Sequence, residues 1–351
     1  MAGFLVVQRD LRKDETGRRT NYTRKCARGK TVPGATVHVR ASSNGTLSKV
    51  KFCTGSLSMV RIATIAGVFW LGQIAAGAQL PATPPADLVR KTVLNELRAS
   101  QEGPIPHMFL SRKETNHGSQ TKLYCETKDA MAGMAIAYDD KPLTPEQRQA
   151  EDARLRDLAN SPEELRKKRQ REKEDAERVS RIVKAMPDAF LFEYDGTEAG
   201  KPALGKVGSE LVRLKFRPNP KYEPPTHTEQ VLAGMQGVIL VDPTSYRIAQ
   251  IDGTLFKEVG FGWGILGHLD KGGRFLVEQA DVGDGSWDIQ RMTLSFTGKI
   301  LFFKKIDIKS TETFSEFHPV PRGLSFAQGV EMLKKQESVL AEDGRGVGKR
   351  K

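Results

Sequence analysis

From residue 189 to 318 the sequence is a succession of short alternating runs: "AFLFEYDG", "LVRLKFRPNP", "GVILVDPTSYRIAQIDGTLF", "GRFLVEQADVGDGSWDIQRMTLSFTGKILFFKKIDI" and "TETFSEFH". Asp-Gly, Asp-Pro-Thr, Gly-Asp-Gly and Thr-Gly turns join them. A period of two marks half-buried strands, and turns this short connect only antiparallel neighbours. One helix candidate, at 229–235, interrupts the series. Upstream, "HMFLSRKETNHGSQTKLYCETKD" and "MAGMAIAYDDKPL" read as a further meander, broken at 116–118 and at Asp129. About ten antiparallel strands result, and a sheet that wide must curl or be covered by helices. The fold class expected is therefore α+β.

The helices announce themselves through their caps. Pro84 and Pro85 open one in which Val89, Val93, Leu94 and Leu97 form an apolar stripe. In "LTPEQRQ" and "NSPEELR", Thr144 and Ser161 stand as N-caps, Pro145 and Pro162 in the first turn, and Gln147 and Glu164 where a capping box closes. The second of these helices begins "ELRKKRQREKEDAER", with Glu163 and Glu164 four residues ahead of Lys167 and Lys168. Its later half carries Ala176, Val179, Ile182, Val183 and Met186 at packing spacing. Acids interrupt the bases throughout 163–178, which reads as a solvated face or a surface for a protein partner. Ser325 and Gln328 cap a last helix to about Leu340, and "EDGRGVGKRK" should fray.

Ahead of all this, Arg61, the apolar run 62–71 and Ala76-Gly77-Ala78 have the order of a secretory signal, cleaved before Gln79. The run is too short and too glycine-rich for a membrane span. Translation is expected to begin at Met59, with 1–58 a basic leader that has no core-forming periodicity; the alternative is a cytoplasmic arm before an uncleaved anchor. The full chain carries a formal charge of +12, but residues 1–58 hold twelve Lys and Arg against three Asp and Glu. With Arg61 also removed, about +2 remains, too little for a nucleic-acid footprint. Cys26 and Cys53 leave with the leader, so Cys125 stays as a single, buried thiol.

Local motifs for chemistry are weak. Gly262, Gly264 and Gly267 match G-x-G-x-x-G but lead into a hairpin rather than a helix, against dinucleotide binding. Around Gly200-Lys201, Gly196 is one residue too near and Pro202 occupies the hydroxyl position of a phosphate loop. Asp281, Asp284 and Asp288 lack the second calcium ligand, because Gly283 stands there. His107, His117, His227, His268 and His318 show no i, i+4 pair. No metal, no cofactor and no catalytic residue is expected.

The helix "DLVRKTVLNEL", the segment "GVILVDPTSYRIAQIDGTL" and the late meander resemble a group of secreted bacterial proteins without an assigned function. Behind these stands the LolA/LolB-like superfamily of periplasmic lipoprotein carriers, and the resemblance covers most of residues 85–321. It implies a strongly curved antiparallel sheet, an incomplete barrel, with helices on its concave side around an apolar cavity that holds acyl chains without chemistry. The charged helical insertion 144–186 departs from the carriers, and no carrier residue is transferred to a numbered position.

The resulting expectation is a leader at 1–58, a signal at 59–78, one half-barrel domain at 79–322 and a C-terminal helix and tail at 323–351. The protein would be periplasmic or secreted, with no transmembrane anchor after processing and no nucleic-acid partner. It would bind an apolar ligand or lipid through Trp287, Phe296 and Phe302, with Phe261 and Trp263 turned onto the sheet. A regulatory or envelope-stress module meeting a protein at 163–178, and an envelope lipid hydrolase, are the rival readings. Material exported by a bacterium is expected to begin at Gln79, as read by intact mass; tryptic peptides from 1–58 in that material would count against cleavage.

Overall fold

The computed structural model describes residues 83–103, 105–226, 228–261, 267–283, 285–300 and 304–342, with the backbone alone at Phe261 and Ile300. All of them belong to one compact unit. The signal segment, including Ala76, Ala78 and Gln79, and the residues Trp263 and Phe302 lie outside the described residues.

Helix α1 (Pro85–Gln101) leads into β1 (His107–Thr115), β2 (Gly118–Cys125), β3 (Ala132–Tyr138) and the two-residue β4 (Lys141–Pro142). Helices α2 (Pro145–Ala159) and α3 (Pro162–Ala189) follow, then β5 (Phe190–Ala199) and β6 (Glu210–Pro218). A 3-10 turn (Glu229–Gly234) precedes β7 (Met235–Asp242) and β8 (Arg247–Leu255). The chain closes with β9 (Val259–Phe261), β10 (Gly267–Leu269), β11 (Arg274–Asp281), β12 (Trp287–Ile300), β13 (Lys304–Pro319) and α4 (Phe326–Glu342). The 13 strands form one curved antiparallel sheet, not closed into a barrel, in the order β4-β3-β2-β1-β13-β12-β11-β8-β7-β6-β5, with β10 branching from β12 and carrying β9. The strands beyond the expected ten are largely the shortest, β4, β9 and β10, whose two or three residues leave no readable period.

Strand order explains the helical segment. β4 and β5 are consecutive in sequence yet occupy opposite edges of the sheet. Eleven strands at about 4.8 Å spacing place those edges about 48 Å apart along the sheet. The 28 residues of α3 span about 42 Å, so α2 and α3 are the crossover that the topology requires. On the way they cover the β3 edge, where a bare strand would invite pairing with another chain. Glu151 accepts from the Ala135 N–H at 2.8 Å, Arg154 donates to the Gly133 carbonyl at 2.7 Å, and Glu172 accepts from the Met131 N–H at 3.2 Å.

The caps follow the sequence with one exception. Thr144 and Gln147 form a reciprocal box on α2, as do Ser325 and Gln328 on α4. On α3, Ser161 accepts from the Glu164 N–H, but its own N–H is taken by the Leu158 carbonyl, and Glu164 turns to Lys167 instead.

Helical cover divides between the two faces. On the front face, α1 and the second half of α3 bury Leu88, Val89, Val93 and Met186 against Phe192, Leu214, Phe216, Ile239 and Ile248 of β5 to β8. On the back face, α4 and α2 bury Phe326, Leu333 and Leu155 against Met108, Leu123, Cys125 and Met134. Cover on a single side would leave the alternate apolar residues of β1 to β3 in water. Cys125 is fully buried, which pushes its thiol up to about 11. Among the described residues no helix is long and apolar enough to cross a membrane.

The expected α1 stripe is displaced by one position: Leu94 is 62% exposed, whereas Thr92 and Glu96 are buried. Glu96 docks the helix by accepting from the Ile248 N–H at 2.8 Å and from Arg247 Nε at 3.0 Å. Asn95 adds bonds to the carbonyls of Ser245 and Tyr246. Replacing Glu96 by Ala strands a buried strand N–H beside an arginine, so E96A is expected to lose about 3 kcal/mol of stability in urea titration.

Candidate functional site

One row of directly paired residues describes the front face: Leu214, Ile239, Ile251, Val277, Met292, Glu312, Lys113 and Gln120, on β6, β7, β8, β11, β12, β13, β1 and β2. Its first five positions are apolar and its last three polar. The front helices α1 and α3 pack mainly on β5 and β8, α4 packs on the back of β2 and β3, and the front of the central strands carries an apolar strip that meets the front core at Phe275 and Phe296.

That strip comprises Phe109, Tyr124, Val277, Ile289, Met292, Leu294 and Phe314, with Phe275, Phe296, Ile308 and Phe317 at its margin. Phe109 is its hub. Its ring stacks on Tyr124 and on Phe317, each at 5.5 Å, and meets Phe314 edge-on at 6.1 Å. Tyr124 leans over Gly133, where a Cβ would stand 2.6 Å from the ring; glycine makes the room. From β11 to β2 the strip is five strands wide, about 19 Å at the usual spacing.

Polar groups punctuate it. At the β1–β13 junction Glu312, 1% exposed, accepts from Ser111 Oγ at 2.5 Å and lies 4.0 Å from Lys113 Nζ. At the start of β1, His107 meets Phe317 edge-on, and its N–H donates to Glu126 at 2.9 Å. Burial pushes the Glu126 carboxyl up and nearby Asp288 adds to this, while the His107 N–H opposes it.

No protein-family model matches the chain, and no curated protein matches it. Two solved structures overlap it. One is a domain from Vibrio parahaemolyticus described as outer membrane lipoprotein-sorting, at 11% identity and a TM-score of 0.27, covering 70% of this chain and 99% of that one. The other is a DUF1329 family protein from Desulfovibrio piger, at 12% identity and a TM-score of 0.24, covering 72% of this chain and all of that one. Scores this low bear on neither fold nor function.

Of the residues singled out from sequence, Phe296 lies at the margin of the strip. Trp287 does not join it. It opens β12 and packs with Leu204, Leu211, Leu240 and Ala249, under the Arg247 guanidinium at 5.7 Å. Nine positions separate it from Phe296, an odd spacing that alternation along a strand does not place on one face. Phe261 ends β9, and its side chain lies outside the described residues, as do Trp263 and Phe302. Phe109, Tyr124, Met292, Phe314 and Phe317 were missed. Phe109, Phe314 and Phe317 were visible as apolar positions in "HMFLSRKET" and "TETFSEFH", but nothing local says that these two strands are neighbours. On the exposed side of 163–178, Lys167 pairs with Glu163 and Glu164 and Lys173 with Glu177, while Lys168 and Asp175 are buried.

The raised Glu126 carboxyl has a thermodynamic consequence. A folded-state pKa above the unfolded value gives a stability contribution that is full below about pH 4.5 and lost as pH rises through the folded pKa. Glu126→Gln imitates the protonated form, so E126Q is expected to be more stable than the parent at pH 8 and indistinguishable from it at pH 4, by thermal melting at both values.

Proposed function

We propose that this protein is an exported, non-catalytic binder of an apolar ligand, a lipid or the acyl chains of a lipoprotein, held against the front of the sheet. The observation that carries the reading is the aromatic and aliphatic strip centred on Phe109, on the front of the central strands beside the β5 to β8 surface that α1 and α3 cover. Sites for small apolar molecules combine such a lining with a few placed polar groups. Here those groups are Glu312 with Ser111 and Lys113, and Glu126 with His107. A width of about 19 Å suits an extended long acyl chain. The secretory pattern at 59–78 supports delivery to the periplasm, where such a ligand would be met.

Binding would be hydrophobic and weakly directional, since the lining offers area more than hydrogen bonds. Margin residues are the right probes, because they can be changed without emptying the core. Phe317→Asp and Phe296→Asp are each expected to weaken binding of a fluorescent fatty acid at least tenfold, while Leu94→Asp, on the exposed side of α1, leaves it unchanged. Equal probe binding by all three variants and the parent would overturn the assignment. Intact-mass analysis of periplasmic material under native conditions would show the co-purifying ligand.

A further inference from the structure

We propose that the back of the sheet carries a divalent-cation site formed by Glu258, His268 and Asp270, of the class that takes zinc. The three residues come from separate stations, one just before β9, one in the middle of β10 and one just after it. Their donor atoms all lie within 4.8 Å of one another. His268 Nε2 stands 3.3 Å from Asp270 Oδ1. In a tetrahedral zinc site with bonds of about 2.0–2.1 Å, adjacent donors stand about 3.3–3.4 Å apart, so this pair already has the required edge. Glu258, at the third corner, is exposed.

The supporting shell is already in place. Asp270 is gripped twice by one residue of β12: its N–H donates to the Thr297 carbonyl at 2.8 Å, and its Oδ2 accepts from Thr297 Oγ1 at 2.6 Å. This fixes the carboxylate with its other oxygen turned toward the imidazole. Outer hydrogen bonds of that kind orient metal ligands. β10 is held between β9 and β12, and it approaches β12 closely because Gly298 faces it; a Cβ there would stand 2.1 Å from the His268 carbonyl. Two carboxylates beside one imidazole make a negatively charged donor set, and mixed nitrogen and oxygen donors suit zinc and its neighbours better than calcium or magnesium. Three protein ligands leave a fourth position for water.

Three lysines border the trio. Lys257 is turned over the Phe256 ring at 5.6 Å, Lys271 follows Asp270, and Lys299 is the cross-strand partner of His268. Their charge lowers affinity without occupying the donor atoms. On the opposite side of β10, Leu269 packs into the front-face core, so the trio and the apolar strip lie on different faces. The cation site therefore stands independently of the ligand reading.

Zinc uptake by the full chain, measured by equilibrium dialysis and by calorimetry with zinc chloride, tests it. Thermal melting with and without zinc is recorded alongside. Glu258→Gln alters an exposed side chain and keeps its shape; it is expected to weaken the site at least tenfold and to abolish the zinc-dependent rise in Tm. His268→Ala is expected to do the same, and His318→Ala, a distant histidine, to change neither. Because Cys26, Cys53 and His38 are also possible zinc donors, the decisive quantity is the difference between parent and E258Q. Uptake and Tm response equal in the parent, E258Q and H268A would overturn the proposal, as would a parent that takes up no zinc.

Discussion

The meeting of β1 with β13 is the contact on which the sheet depends. Without it the strand path divides into β4-β3-β2-β1 on one side and the strands from β13 to β5 on the other. At this junction Glu312 is almost fully buried, between Ser111 on one side and Lys113, its register partner, on the other. Burying a carboxylate and an ammonium is costly, and the cost is offset only when they meet each other with good geometry. Here the carboxylate is held mainly by Ser111 Oγ, with Lys113 at 4.0 Å, and both partners are met only in this register. A slip by one residue would put Glu312 on the back face and carry Phe314 away from Phe109.

The charged helices follow from the same order. Because β4 and β5 stand at opposite edges, the chain between them must be long, and a helix is the compact way to cover that distance with its backbone bonds satisfied. Such a span can bury only part of itself. Its first half is charged and mostly exposed, with Lys168 and Asp175 buried, while Ile182, Val183 and Met186 turn onto the front-face core. What looks like an insertion in the linear sequence is a structural crossover, and its side chains protect the β3 edge as it passes.

The two faces have different chemistry. Helices cover β5 to β8 on the front and β1 to β3 on the back, and the apolar strip of the central strands continues from the front core through Phe275 and Phe296. The core members of the strip are 1–7% exposed, so a guest would meet it at its half-buried margin, at Phe275, Phe296, Ile308 and Phe317. The Glu258, His268 and Asp270 group lies on the back of the short β9–β10 extension, where polar side chains face outward.

The sequence alone determined the local elements: the alternating strands, the hairpin turns, the Pro-opened helices and their caps, and the burial of Cys125. These depend on neighbours within a few residues, where periodicity and capping chemistry act. It did not determine which strands would be adjacent. Phe109 and Phe314 are separated by most of the chain, and only the β1–β13 pairing makes them one aromatic cluster. In the same way, Trp287 and Phe296 share a strand, yet they pack into different clusters. His268 had no partner at helical spacing, and a short hairpin supplied two carboxylates instead. Secondary structure is set by short-range geometry, whereas a site is set by which residues the topology brings together, and that was decided by the fold.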